Sequence, residues 1–317
     1  MRLCNIACPE KHKVAEPNLK TELGFVGLGK MGGRLAERLV RGGCTVHVYD
    51  RNPDAVARLV KLGAKPEMSA RAVGDAAEIV FASLPSPEIS IEVALGKDGV
   101  VHGTRRRIYV ETSTSGRIAI QTIAAGMKSA GAEMLDAPVS GGVSGADEGK
   151  MAVMLAGPRA VIDEVRPFMQ MYGRKFFEIS DVPGGAQLIK LLNNMIGAAG
   201  IAASFEAMLI GVKAGLDPQM MCDVINASSG RNKATEEKIP DAVITRTFDT
   251  GGRVGNRTKE FKLIFAEAEE LGVPLFVSSS VSQLFSYAVT QGSLNEDTTA
   301  LMKHMERWVG VEVRKKN

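Results

Sequence analysis

Cysteine and histidine are scarce in this 317-residue chain, with four of each. Cys4, Cys8, Cys44 and Cys222 are too few and too unevenly spaced for a disulfide framework, which fits a reducing, cytoplasmic setting. The Cys4 and Cys8 spacing suits a metal, but no nearby pair completes a ligand set, so no metal site is expected. Neither sign of charge dominates: 39 Lys and Arg stand against 36 Asp and Glu, scattered or interleaved. That argues against a nucleic-acid partner, and the Arg105-Arg106-Arg107 cluster reads as a solvated loop entering a strand. No uninterrupted run of about 18 apolar residues is present, so no membrane partner is expected. Internal repeats and low-complexity segments are missing as well. Residues 1–20 mix basic and acidic side chains without an apolar core and read as an N-terminal extension, not a secretory signal.

What the chain does have is 45% hydrophobic residues and 34 glycines, enough to bury a large core with many tight turns. From residue 21 to about 182, short apolar runs (23–26, 44–49, 79–84, 108–111, 134–135, 151–155 and 175–179) alternate with amphipathic stretches such as 34–41, 53–62 and 118–130. This alternation predicts parallel βαβ units and a doubly wound α/β domain of the Rossmann type. After Pro183-Gly184-Gly185 no strand pattern remains. Residues 183–317 read as an all-α domain, opened by a long apolar helix over 186–215, with further helices over 219–227, 259–271, 278–291 and 298–308.

Gly27, Gly29 and Gly32 form G-x-G-x-x-G directly after the first apolar strand, with Leu28, Lys30 and Met31 between them. The first glycine allows a tight turn, the second lets the backbone approach a pyrophosphate, and the third brings helix against strand. Asp50 ends the second strand at roughly the 20-residue offset where an acid meets ribose hydroxyls. A carboxylate there repels a 2′-phosphate, so NAD is expected; Arg51, able to pair with that phosphate, leaves NADP open. FAD proteins and non-redox nucleotide binders share the fingerprint, so the remaining residues must decide.

An acid or base that moves an alcohol proton is the next requirement. His12, His47, His102 and His304 are poorly placed for it and read as structural. Lys190 is a charge in an otherwise apolar helix, and burial would lower its proton affinity into the working range. Asn194, four residues on, shares its helical face. The plain alternative is a lysine that snorkels to solvent. Ser140, Gly141 and Gly142 follow a strand and offer a hydroxyl and two backbone N–H groups to a carboxylate or carbonyl, or else form only a flexible turn.

Taken in order, the glycine fingerprint, Leu84-Pro85, Glu111-Thr112-Ser113-Thr114, Asp136-Ala137-Pro138-Val139-Ser140-Gly141-Gly142, Lys190-Leu191-Leu192-Asn193-Asn194 and Lys259-Glu260-Phe261 resemble the β-hydroxyacid dehydrogenases. That family includes 3-hydroxyisobutyrate dehydrogenase and tartronate semialdehyde reductase, with 6-phosphogluconate dehydrogenase as a larger relative. The resemblance covers about residues 22–310. It implies Lys190 as catalytic acid/base in a cleft between the domains, with Ser140, Gly141, Gly142, Asn193 and Asn194 around the substrate. It further implies Leu84, Pro85, Thr114 and Lys259 on the cofactor side. Asp50-Arg51-Asn52 departs from the Asn-Arg-Ser/Thr of NADP-using members, in favour of NAD. The stretch before Lys259 is polar and basic where relatives run apolar, so Arg253 or Arg257 is expected either to pair with a second anionic group of the substrate or to lie in a solvated loop. The implied reaction interconverts a small 3-hydroxy acid and its semialdehyde in a homodimer or homotetramer. A more acidic semialdehyde, imine reduction on the same scaffold, and a non-catalytic nucleotide-binding module are the rivals.

Overall fold

The computed structural model describes residues 16–315. The expectations for Cys4, Cys8, His12 and the rest of residues 1–15 lie outside the described residues. The chain divides into two compact units, Met1–Ser113 with Ile120–Pro183, and Thr114–Ala119 with Gly184–Asn317.

In the first unit the strands are β1 (Leu23–Val26), β2 (Val46–Tyr49), β3 (Lys65–Pro66), β4 (Ile79–Ala82), β5 (Ile108–Glu111), β6 (Glu133–Asp136), β7 (Val139–Ser140), β8 (Met151–Ala156) and β9 (Gly173–Ser180). They form one sheet in the order β3-β2-β1-β4-β5-β6-β8-β7, with β9 paired to β8. The chain winds outward from β1 through β2 to β3, then returns to place β4, β5 and β6 on the other side, all parallel. The order therefore reverses between β1 and β4, and ligands of open α/β sheets bind beyond the carboxyl ends of the strands at such a reversal.

Alternation along the strands builds two cores, as a sheet covered on both faces requires. Leu23, Phe25, Ile79 and Phe81 join one cluster; Val26, Val80, Ala82 and Tyr109 join the other. Around the sheet lie α1 (Gly32–Arg41), α2 (Pro53–Val60), α3 (Ala70–Ala76), α4 (Pro87–Leu95), α5 (Arg117–Ser129), α6 (Gly142–Glu148) and α7 (Arg159–Met169). Asn52, Ser69 and Ser86 cap α2, α3 and α4 by accepting backbone N–H groups, with proline opening α2 and α4.

The expected parallel pattern fails at one place. β8 runs antiparallel to both β6 and β7. Only the short α6 and its flanking residues separate Ser140 from Met151, and a parallel crossover needs a dozen residues or more.

The second unit is helical: α8 (Gly185–Lys213), α9 (Pro218–Asn226), a π-helical segment over Ala234–Ile244, α10 (Val254–Glu270), α11 (Phe276–Thr290) and α12 (Leu301–Val309). Ala198, Ile201, Phe205, Met208, Ile239, Phe261 and Phe285 fill its core. Two sequence expectations need correction here. First, α8 is long and apolar enough to span a membrane by length and composition. Its interspersed Gly and Ser break any strict apolar run without offsetting the Ile, Leu, Met and Phe around them. Second, α10 begins at Val254, so Arg257 and Thr258 lie in a helix and not in a loop.

Candidate active site

The glycine-rich turn sits where the strand order reverses. Gly27 has φ +88°, and a Cβ there would lie 2.3 Å from the Ser83 carbonyl oxygen, so only glycine fits. A Cβ on Gly32 would fall 2.0 Å from the Gly27 carbonyl oxygen, which is how α1 packs so closely against β1. Gly29 differs: a Cβ there would meet nothing within 4 Å. Its missing side chain leaves open space over exposed backbone, as the approach of a pyrophosphate requires. The turn therefore fits a dinucleotide. Leu28 is buried beneath the turn, while Lys30 is exposed and Met31 half-buried at the start of α1.

Asp50, at the end of β2, fastens this turn. Its Oδ2 accepts the Leu28 N–H at 2.5 Å and its Oδ1 accepts the Asn52 N–H at 2.7 Å. Each oxygen keeps a further lone pair for a ribose hydroxyl. Arg51 is exposed beside it.

Beyond β4 and β5 lies a buried hydrogen-bond chain. The Ser113 hydroxyl donates to Glu111 Oε1 at 2.5 Å and accepts the Leu84 N–H at 2.6 Å. Burial pushes the Glu111 carboxyl above the usual carboxylate range, and hydrogen bonds from Ser113, Ser90 and Tyr109 pull against that shift. Leu84 is held half-buried by this chain, with Pro85 exposed next to it. Ser140 closes β7, opposite Ala152, and Gly141 and Gly142 adopt φ +147° and +67° as α6 begins. Gly142 has open space where a Cβ would stand.

In the second unit Lys190 lies in the second turn of α8 and is only 8% exposed, so it does not snorkel. Burial lowers its pKa to about 8; the negative charge of Glu260 opposes the shift, and the positive charge of Arg257 adds to it. One turn on, Asn194 Nδ2 donates to Glu260 Oε1 at 2.8 Å, and the exposed Asn193 donates to Asn194 Oδ1 at 3.2 Å. Arg257 Nη1 donates to Glu260 Oε2 at 2.7 Å. Asn194, Glu260 and Arg257 therefore form one hydrogen-bonded cluster, and the charges of Glu260 and Arg257 act on Lys190. Arg253 precedes α10 and is exposed. Lys259 Nζ donates to the Thr114 carbonyl at 3.0 Å. Thr114 opens the short segment whose backbone is gripped by α8: Gln187 Oε1 accepts the N–H groups of Ser115 and Gly116 at 2.8 and 3.1 Å.

Glu260, Gln187 and Glu111 carried no role in the sequence reading. Two of them had a visible signal, since Gln187 is a polar residue one turn before Lys190 in an apolar helix, and Glu260 stands three residues after Arg257. His47 lies between Glu22 and Glu67, and His304 between Ser293 and Arg307.

Residues 22–180 match the family described as the NAD binding domain of 6-phosphogluconate dehydrogenase, and residues 184–305 match the NAD-binding region of NADP-dependent 3-hydroxyisobutyrate dehydrogenase. The chain belongs to the β-hydroxyacid dehydrogenase family. It is 31% identical to 2-(hydroxymethyl)glutarate dehydrogenase of Eubacterium barkeri over 92% of this chain and 97% of that one. It is 33% identical to 3-hydroxyisobutyrate dehydrogenase of Pseudomonas aeruginosa over 84% and 91%. Among solved structures, 3-hydroxyisobutyrate dehydrogenase from Salmonella typhimurium superposes with a TM-score of 0.79 at 29% identity, covering 90% of this chain and 99% of that one. This β-hydroxyacid dehydrogenase is accordingly an NAD(P)-dependent oxidoreductase acting on CH–OH groups.

Proposed function

We propose that the enzyme interconverts a small 3-hydroxy acid of the 3-hydroxyisobutyrate type and its semialdehyde, with Lys190 as acid and base. The observation that carries this reading is Lys190 itself, a desolvated amine whose pKa of about 8 lets it hold or release a proton near neutrality. When bound, the nicotinamide supplies the hydride acceptor or donor. In oxidation, neutral Lys190 takes the proton of the substrate hydroxyl; in reduction, its ammonium form returns that proton to the carbonyl oxygen. Asn194 donates an amide N–H to the same oxygen, and the Ser140 hydroxyl with the Gly141 and Gly142 backbone holds the substrate carboxylate.

Two results follow from the protonation of Lys190. In oxidation, kcat/KM for 3-hydroxyisobutyrate should rise with pH through about 8, because the base must be neutral. In reduction, the rate should fall across the same range, because the acid must be charged. Nicotinamide absorbance followed against 3-hydroxyisobutyrate, glycerate, 4-hydroxybutyrate and threonate tests the substrate class. Turnover of none of the 3-hydroxy acids would sink it.

NAD is the proposed preferred cofactor. Asp50 is fixed by the Leu28 and Asn52 N–H groups, so its charge cannot swing away from a 2′-phosphate. Wild type should show a higher kcat/KM with NAD than with NADP, and Asp50→Asn should narrow the gap by about tenfold, the effect of one nearby like charge. A wild-type preference for NADP would show Arg51 outweighing Asp50.

A further inference from the structure

We propose that Glu260, clamped by Arg257, is the positioning residue for the pair formed by Lys190 and Asn194: it sets the orientation of the Asn194 amide and, with Arg257, the charge balance around the lysine one turn away. The inference rests on the acid/base reading of Lys190 given above.

The geometry begins with Glu260, which is only 8% exposed. An ionised carboxylate at that depth needs partners on both oxygens, and it has them: Asn194 Nδ2 on Oε1 and Arg257 Nη1 on Oε2. A carboxylate only accepts, so the Asn194 amide must turn its NH2 end to Glu260. Asn193 donates to the opposite end, Oδ1, at 3.2 Å, in keeping with that orientation. One N–H of Asn194 Nδ2 remains to meet a substrate oxygen, on the same helix as Lys190 and one turn away. The pair on α10 therefore fixes a donor on α8.

The same two residues supply the charges that bear on Lys190. Other elements packed on α8 direct their charges elsewhere. α11 contains no Asp, Glu, Lys or Arg. On α12, Glu306 binds Arg246, Lys303 lies over the Phe248 ring, and Arg307 binds His304. Asp223 of α9 accepts the Gln219 amide. Lys238 of the π-helical segment donates to Thr250 and faces Asp297 and Arg257. Lys259 of α10 donates to the Thr114 carbonyl. This also gives Arg257 a task beside any contact with a second substrate anion, since its Nη1 is bonded to Glu260.

Opposite charges must produce opposite effects, and that is the test. Glu260→Gln keeps the shape and removes the negative charge. The acidic limb of the oxidative kcat/KM profile should then move to lower pH by about one pH unit. Arg257→Met frees the Glu260 charge and should move the same limb to higher pH by about as much. In Glu260→Gln, kcat should also fall about tenfold from loss of the fixed amide, with cofactor affinity unchanged. A purely structural role would lower activity without displacing the limb in either direction. Limbs that stay in place, or move the same way in both variants, overturn the proposal. Should Glu260→Gln fail to fold, the direction of the Arg257→Met displacement decides alone. Retained turnover in Lys190→Ala would instead overturn the acid/base reading, a separate outcome from any displacement of the limb.

Discussion

Lys190→Ala is expected to lower kcat by about 10²- to 10⁴-fold, the usual contribution of a positioned acid or base. Cofactor affinity should be unchanged, because the glycine turn, Asp50 and the Leu84 clamp are all built in the first unit, whereas Lys190 belongs to the second. Stability should hold or rise slightly, since the variant removes a desolvated amine from a buried position. The measurements are steady-state turnover in both directions and cofactor titration by fluorescence. A variant retaining wild-type kcat would leave the lysine without a chemical task. A small primary amine added to the assay should restore part of the lost rate, because the vacated space admits it and the proton-transfer step needs only an amine.

The second large effect separates folding from binding within one motif. Gly29→Ala should fold as wild type does, because its Cβ would meet no atom of the protein within 4 Å. Its cofactor dissociation constant should nevertheless weaken by at least about tenfold, because that Cβ occupies the space reserved for the pyrophosphate. Gly32→Ala should behave in the opposite sense. With its Cβ 2.0 Å from the Gly27 carbonyl oxygen, backbone must shift, at a cost of about 1–3 kcal/mol or more. Thermal unfolding with and without NAD distinguishes the two. Equal cofactor affinity in Gly29→Ala and wild type would place the pyrophosphate elsewhere.

Much of the fold could be read from the chain because its signals are local. β1 and β5 occupy the expected residues, since apolar, β-branched runs flanked by glycine or charge leave few alternatives. β7 was legible only as the end of a strand before the Ser-Gly-Gly turn, and β3, at two residues, passed unnoticed because its pairing depends on β2. The antiparallel β8 was hidden for the same reason: direction depends on connection length, and the pattern of apolar residues is the same either way. The π-helical segment gave no recognisable period.

In the site, Lys190 was visible as a charge out of place among apolar residues. Glu260 was visible only as one more acid on a helix surface, because its burial and its hold on Asn194 come from packing between α8 and α10. The helical setting of Arg257 was hidden for a related reason. Its surroundings looked like a loop, and the Arg–Glu pair three residues apart acquires meaning only once α10 begins at Val254, five residues earlier than the sequence pattern indicated.

Thr114–Ala119 belongs to the second unit although both of its flanks belong to the first. Gln187 holds its N–H groups, and the Glu267 carboxylate takes the N–H and side chain of Arg117. A gene fragment stopped at Pro183 would keep this hexapeptide but lose both of its acceptors, leaving backbone donors uncapped at about 1–3 kcal/mol each. The two units are thus interleaved along the polypeptide. Cutting the chain at any one point therefore cannot yield two intact units.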